Sequence, residues 1–159
     1  MTAGKLEVSQ EPVTDPEQLR REWEDLESRS APTVFLSWQW LGHWLDIYQP
    51  DARVLRVREG DRLIGLGMVV GSEERRHGVL RSRCLRLHQT GRKVLDQIWI
   101  EYNGFLAEHG RDREVSSACL NFLENQQDSW DEFVVGAIDA DEADFYARTM
   151  ALHKHGSST

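Results

Sequence analysis

The amino-acid sequence predicts a mixed α/β (α+β) domain: a central, mostly antiparallel sheet flanked by helices. Two capped helical segments come first. Gly60-Asp61 then joins two strand-like runs as a tight hairpin, and a helix, a strand and a helix follow, which brings a late strand into the sheet by a crossover. At 159 residues the chain can bury one real core, and its 40% hydrophobic and 29% charged content is that of a globular domain.

Leu6-Glu-Val8 reads as a short first strand. Asp15 is an N-cap, Pro16 fits the first helical position and Gln18 can close a capping box; Leu19, Trp23 and Leu26 then share one helix face. Ala31-Pro32 ends that helix. Ser37 caps a second helix, Trp38 to Tyr48, which holds three of the six tryptophans (Trp38, Trp40, Trp44) and stops at Gln49-Pro50. A helix apolar on nearly all sides is expected to be buried on nearly all sides, between layers.

Arg53–Glu59 and Arg62–Val70 read as strands. Ile64, Leu66, Met68 and Val70 are expected on one face of the second, with Gly65 and Gly67 opposite, open to close approach. Glu73–Gly78 reads as a polar turn, Val79–His88 as a strand, Thr90–Lys93 as a loop and Ile98–Leu106 as a further strand. Arg111–Gln127 has helical spacing, with Val115, Ala118, Cys119 and Phe122 in one stripe. Trp130–Ile138 is the last strand, and Asp139, with Glu142, starts a final helix that buries Tyr146 and Met150. One domain over 1–153 is expected, with 154–159 a disordered tail.

Composition excludes several classes. A formal net charge of -8, with scattered basic residues, argues against tracking nucleic-acid phosphates or adhering to an anionic membrane. No apolar run has the length of a signal sequence or a membrane span. Cys84 and Cys119 are too few for a disulfide framework and read as buried thiols in a reducing cytoplasm. The six histidines have no zinc-site spacing, so no metal is expected; neither a G-x-S-x-G elbow nor a Walker loop occurs.

The order of elements resembles the GNAT acyltransferase superfamily. Phe35-Leu-Ser-Trp-Gln-Trp-Leu41 with Trp44, the hairpin Val57–Gly65, and Leu85–Gly91 leading to Ile98–Gly104 resemble successive motifs of one branch. That branch holds the CelD-like proteins, linked to cellulose biosynthesis, and is related to the FemAB peptidyltransferases. The resemblance covers most of Leu6–Leu152 and rests on the order of several motifs. It implies a bacterial N-acyltransferase that uses acetyl-CoA or another acyl-CoA. The acceptor would be a small-molecule amine, amino sugar or peptide of a cell-envelope or exopolysaccharide precursor. Members of the branch duplicate the fold, so this chain looks like the N-terminal half of a tandem protein, incomplete at its C-terminus, that works with a second GNAT domain or as a homodimer. The alternative is a non-catalytic GNAT-like binding or scaffold module without acyl-CoA. The superfamily's pyrophosphate loop, Q/R-x-x-G-x-G/A, does not occur here.

Glu101 and Asn103 are the candidate catalytic pair. Strand spacing puts them on one face between Trp99 and Phe105, and a carboxylate among aromatic rings would titrate high enough to serve as a general base for an amine. Tyr102 would point the other way. Trp38, Trp40 and His43 are the candidate acceptor-binding residues, because indole offers a flat apolar face. Plain core packing explains the same tryptophans, and a solvated edge-strand carboxylate explains Glu101.

Overall fold

The computed structural model describes residues 4–96 and 101–156. Strand β1 (Leu6–Pro12) pairs antiparallel with β2 (Ala52–Glu59), β2 with β3 (Arg62–Arg76), and β3 with β4 (Leu80–Leu87). A two-residue strand, β5 (Leu106–Ala107), also pairs with β3, and β6 (Glu132–Val134) lies parallel to β4 at the far edge. Helices α1 (Pro16–Ser28) and α2 (Trp38–Tyr48) precede β2, α3 (Asp112–Glu124) provides the crossover from β5 to β6, and α4 (Ala140–Gly156) comes last. The mixed α/β class and the helix–strand order follow the sequence reading.

Each face of the sheet carries its own core. Leu19, Trp23 and Leu26 of α1 and Leu41 and Trp44 of α2 pack on Val54, Leu66, Met68 and Val70. On the other face Val115, Cys119, Leu120 and Leu123 of α3 and Tyr146 of α4 pack on Leu55, Val57, Ile64, Val69 and Leu87. Cys84 and Cys119 are both free and buried. The stripe on α3 is rotated from the expected one: Leu120 and Leu123 are buried, whereas Ala118 and Phe122 are half-buried.

The caps form as the residue types dictate. Asp15 accepts from the Gln18 amide at 2.9 Å, Ser37 Oγ from the Trp40 amide at 3.3 Å, and Asp139 from the Glu142 amide at 2.9 Å. Helix α4 continues to Gly156, through the first residues of the segment read as a tail.

Four local expectations are corrected. Strand β3 runs on to Arg76, because Glu73–Arg76 pair with Leu80–Arg83; the turn is His77-Gly78, both at positive φ (51° and 76°). Ile64 does not share a face with Leu66: Val57 pairs with Gly65 and Arg58 with Leu63, so Ile64 bulges out of register and turns to the α3 side. Helix α2 is not enclosed. Leu41 and Trp44 are buried, but Gln39, His43 and Asp46 form an outward stripe at i, i+4 and i+7, with Ile47 exposed beside them. The expected strand Ile98–Leu106 lies partly outside the described residues; within them, Glu101–Phe105 is irregular and only Leu106 belongs to a strand.

That irregular segment belongs to an excursion. β4 and β5 occupy successive stretches of the same edge of β3, with Val69 facing Leu87 and Leu66 facing Leu106. The His88 amide still bonds to Met68 O at 2.9 Å before the chain leaves. On its return the Asn103 amide donates to Ala137 O, just beyond β6, at 3.0 Å. Asn103 therefore sits just past the point where β4 and β6 cease to pair. Close approach at the β3 glycines is real: a Cβ on Gly67 would lie 2.5 Å from Phe105, and one on Gly65 would collide with Val115.

Candidate functional site

Where the chain leaves β4 it meets the flank of α2, and a cavity of about 220 Å³ opens between them. Helix α2 contributes Gln39, Trp40, His43, Trp44, Ile47 and Tyr48, and the excursion contributes His88, Gln89, Leu95 and Asp96. Trp40 packs against Phe35 in a T-shaped pair, at 5.1 Å between ring centroids and 78° between planes.

The floor is a closed hydrogen-bond network. His88 is fully buried, with Trp23 edge-on to it at 6.0 Å. The Met68 amide donates to its Nε2 at 3.0 Å, which assigns the proton to Nδ1, and Nδ1 donates to Asn103 Oδ1 at 2.9 Å. Asn103 Nδ2 donates to Leu87 O, and the Gly104 amide donates to Asn103 Oδ1, both at 2.9 Å. Burial pushes the His88 pKa down to about 4, against a smaller upward pull from Asn103, so the ring is neutral. Asp96 accepts from the Thr90 amide at 2.7 Å, Thr90 Oγ1 at 2.8 Å and the Gly91 amide at 2.8 Å, so its carboxylate is held inside the loop. Gln89 lines the cavity, but its amide is packed against Gly136; Oε1 is buried and has no hydrogen-bond partner among the described residues.

The structure brings Trp40 and His43 to this cavity and leaves Trp38 outside it. Trp38 lies over Gly42, whose added Cβ would sit 2.7 Å from the indole, and is tilted against Trp23 at 6.2 Å. Glu101 and Asn103 do not share a strand face. Tyr102 between them has φ +55° and is exposed, Glu101 is exposed at a bend, and Asn103 is buried in the network beneath His88. Of the two rings expected beside Glu101, Phe105 is buried against Tyr146 at 6.1 Å, and Trp99 lies outside the described residues. Sequence reasoning missed Gln89, Asp96 and His88. Their signal was faint, a Leu87-His88-Gln89-Thr90-Gly91 run between a strand and a loop.

The N-terminus of α3 is where the GNAT resemblance puts an acyl-CoA pyrophosphate, and its residues do not fit that group. Arg111 supplies no side-chain cap, and Asp112 and Glu114 occupy the first turn. Glu108 is paired with Arg29 at 2.7 Å and with Arg62; Arg111 is paired with Glu114 at 2.7 Å and Glu59 at 2.8 Å. These guanidinium partners hold the carboxyls of Glu59, Glu108 and Glu114 below the usual range. The carboxylates already satisfy the helix dipole and repel a diphosphate. Among the described residues no group of three or more His, Cys, Asp or Glu is placed to hold a metal ion, and no helix is long and apolar enough to cross a membrane.

A six-stranded mixed sheet, with two helices entering before the antiparallel meander and a helical crossover to a parallel edge strand, is the fold of the GNAT acetyltransferases. An aminoglycoside acetyltransferase from an uncultured soil metagenomic sample, solved with trehalose, has this fold. It superposes with a TM-score of 0.51 at 13% identity, over 91% of this chain and 86% of that one. The ribosomal-protein-alanine N-acetyltransferase of Brucella melitensis biovar Abortus aligns with a TM-score of 0.48 at 14% identity, over 97% and 92% of the two chains. Identities this low define the fold and nothing finer. No protein-family model matches the chain, and no curated protein matches its sequence.

Proposed function

We propose that this chain is the acceptor-binding domain of a GNAT-type N-acyltransferase, equivalent to the leading copy of the duplicated fold in the CelD-like, FemAB-related branch. Its acceptor is an amine of a cell-envelope or exopolysaccharide precursor, and it works in the cytoplasm. The observation that carries this reading is the contrast between an aromatic, weakly charged cavity under α2 and an α3 N-terminus that is already acidic and ion-paired. The first suits an acceptor; the second rejects the phosphates of coenzyme A. The acyl thioester, acetyl-CoA or another acyl-CoA, is left to a second GNAT domain or a second copy of the chain. The trehalose in the similar aminoglycoside acetyltransferase supports a sugar-bearing acceptor. In this reading Asn103 positions the cavity floor through His88, and Glu101, being exposed, is assigned no proton transfer.

Isothermal titration with acetyl-CoA, paired with a thiol-release assay, tests the division of labour. The chain alone should bind acetyl-CoA without saturation, and thiol release should require the second domain. Saturable binding and turnover by the chain alone would overturn it. A second reading, a scaffold without chemistry, is favoured by the same acidic α3 corner. It predicts no thiol release even when a second GNAT domain is supplied.

A further inference from the structure

We infer that the tip of the β3–β4 hairpin is a membrane-contact element: Val79 and Leu80 enter an anionic lipid surface, and Arg75 and Arg81 engage its headgroups. This holds whether or not the chain supports acyl transfer. β2 pairs with β3 no further than Val70, and β6 pairs with β4 no earlier than Cys84. Beyond those points β3 and β4 pair with each other, and among the described residues no other strand lies beside them. Glu73–Arg83 therefore stands out from the sheet as an arm. It reaches about 20 Å past the last β2 pair and about 13 Å past the last β6 pair. Its base is pinned. Arg76 Nε donates to Glu132 at 3.1 Å, Ser82 Oγ donates to the same carboxylate at 2.6 Å, and Arg83 pairs with Asp131 at 2.9 Å. The turn is closed by the Val79 amide, which donates to Arg76 O at 3.3 Å. An arm held in this way is formed before it meets a partner.

The tip is costly to the free protein. Val79 is 86% exposed and Leu80 66%, and neither joins a core cluster. Arg75 faces Arg81 directly across the pair, and like charges in that position destabilise a hairpin. Among the described residues neither of the two makes a salt bridge, whereas Arg76, Arg83 and Arg86 all do. From Arg75 to Arg83 the chain carries four arginines and no carboxylate. A surface that is negative outside and apolar just beneath removes both costs: its phosphates take the arginines, and its acyl boundary takes the aliphatic pair. Either signal alone binds weakly, and together they give reversible, peripheral attachment. An acidic protein fits less well. A protein interface buries about 800 Å² a side around aromatic anchors, and the narrow arm has no aromatic residue from Glu73 to Arg83. The net charge of -8 opposes adhesion of the body as a whole. Salt screens that charge over about 8 Å at physiological ionic strength, which is less than the reach of the arm.

Co-sedimentation with vesicles at physiological ionic strength tests this, using phosphatidylcholine alone and an equimolar mixture of phosphatidylcholine and phosphatidylglycerol. The chain should bind the mixed vesicles saturably, and phosphatidylcholine about tenfold more weakly or less. Val79→Ser with Leu80→Ser, and separately Arg75→Ser with Arg81→Ser, should each weaken binding to mixed vesicles about tenfold or more. Arg75→Lys with Arg81→Lys, which keeps the charge, should stay within about threefold. All four positions are exposed, so no variant should lower the urea midpoint. Absence of binding to mixed vesicles, equal binding to both kinds of vesicle, or wild-type binding by the Val79→Ser, Leu80→Ser variant overturns the inference. Self-association in sedimentation velocity without lipid, abolished by the same variants, overturns it in favour of a protein partner.

Discussion

The floor of the α2 cavity and the N-terminus of α3 both present polar groups beside an apolar core, yet they are completed in opposite ways. At the floor, neutral groups close on one another: Met68 N–H to His88, His88 to Asn103, Asn103 to Leu87 O. At α3, full charges close on one another: Glu108 with Arg29 and Arg62, Arg111 with Glu59 and Glu114. An uncharged group loses most when a buried bond is broken, so the fully bonded floor is costly to disturb. These ion pairs keep part of their surface in solvent, so salt screens them in part and they rearrange more readily than the floor. A site for a neutral or cationic ligand can be built over the first, and an anion site cannot be built over the second.

The largest expected effect is at the floor. Trp23 is fully buried, donates Nε1–H to Leu36 O at 2.8 Å and lies edge-on to His88. Trp23→Ala should cost about 3–5 kcal/mol in urea unfolding, the range for deleting a buried aromatic. Trp40→Ala, at the half-buried rim, should cost well under half of that. Equal losses at the two positions would mean that rim and floor are one structural unit.

His88 gives the next effect, through pH. Its folded pKa, about 4, lies below the ordinary 6.5. The unfolded chain therefore binds the proton first. The stabilisation is fully present above pH 6.5 and is lost as pH falls from there through 4, by about 3 kcal/mol at most. The carboxyls of Glu108 and Asp131, held low by Arg62 and Arg83, add a loss of the same sign at more acid pH. Glu142, whose carboxyl is raised by burial, contributes in the opposite sense, so His88 is read from the difference between wild type and His88→Gln over pH 6.5 to 5. Urea midpoints should decline across that window in wild type relative to His88→Gln. Parallel profiles of wild type and His88→Gln would show that His88 does not stay neutral.

Much of this arrangement was legible in the sequence. Caps at Asp15, Ser37 and Asp139 and the Gly60-Asp61 hairpin are set by local chemistry, and all four form. Gly65 and Gly67 were read as places of close approach, and Val115 and Phe105 arrive there. The failures are non-local. Alternation along β3 gave no sign of the Ile64 bulge, because a bulge is defined by the register of two strands. The interruption of one sheet edge between Leu87 and Leu106 was read as a fresh strand, since apolar residues of a crossing segment have no period to separate them from a strand. The outward stripe Gln39, His43 and Asp46 was visible in the sequence and was outweighed by the mass of tryptophan around it. At the site, Trp40 and His43 come together by helix geometry, but Gln89 joins them only through the path of the excursion.

The smallest expected effect is at the α3 corner. Arg111 faces Glu59 and Glu114 with part of its guanidinium in solvent. Arg111→Ala should shift stability by less than about 1 kcal/mol, and 0.5 M NaCl should erase most of that difference, because screening acts on exposed pairs. The informative arm is charge neutralisation at the same corner. Asp112→Asn with Glu114→Gln removes both carboxylates of the first turn while leaving the helix amides in place. If carboxylates are what excludes a diphosphate, calorimetry with coenzyme A should pass from no saturable binding to measurable binding in the double variant, weakening with salt. If the double variant still ignores coenzyme A, the first-turn carboxylates are not the obstacle, and the Glu59 and Glu108 carboxylates that remain beside Arg111, Arg29 and Arg62 become the feature that separates this domain from one that carries its own acyl donor.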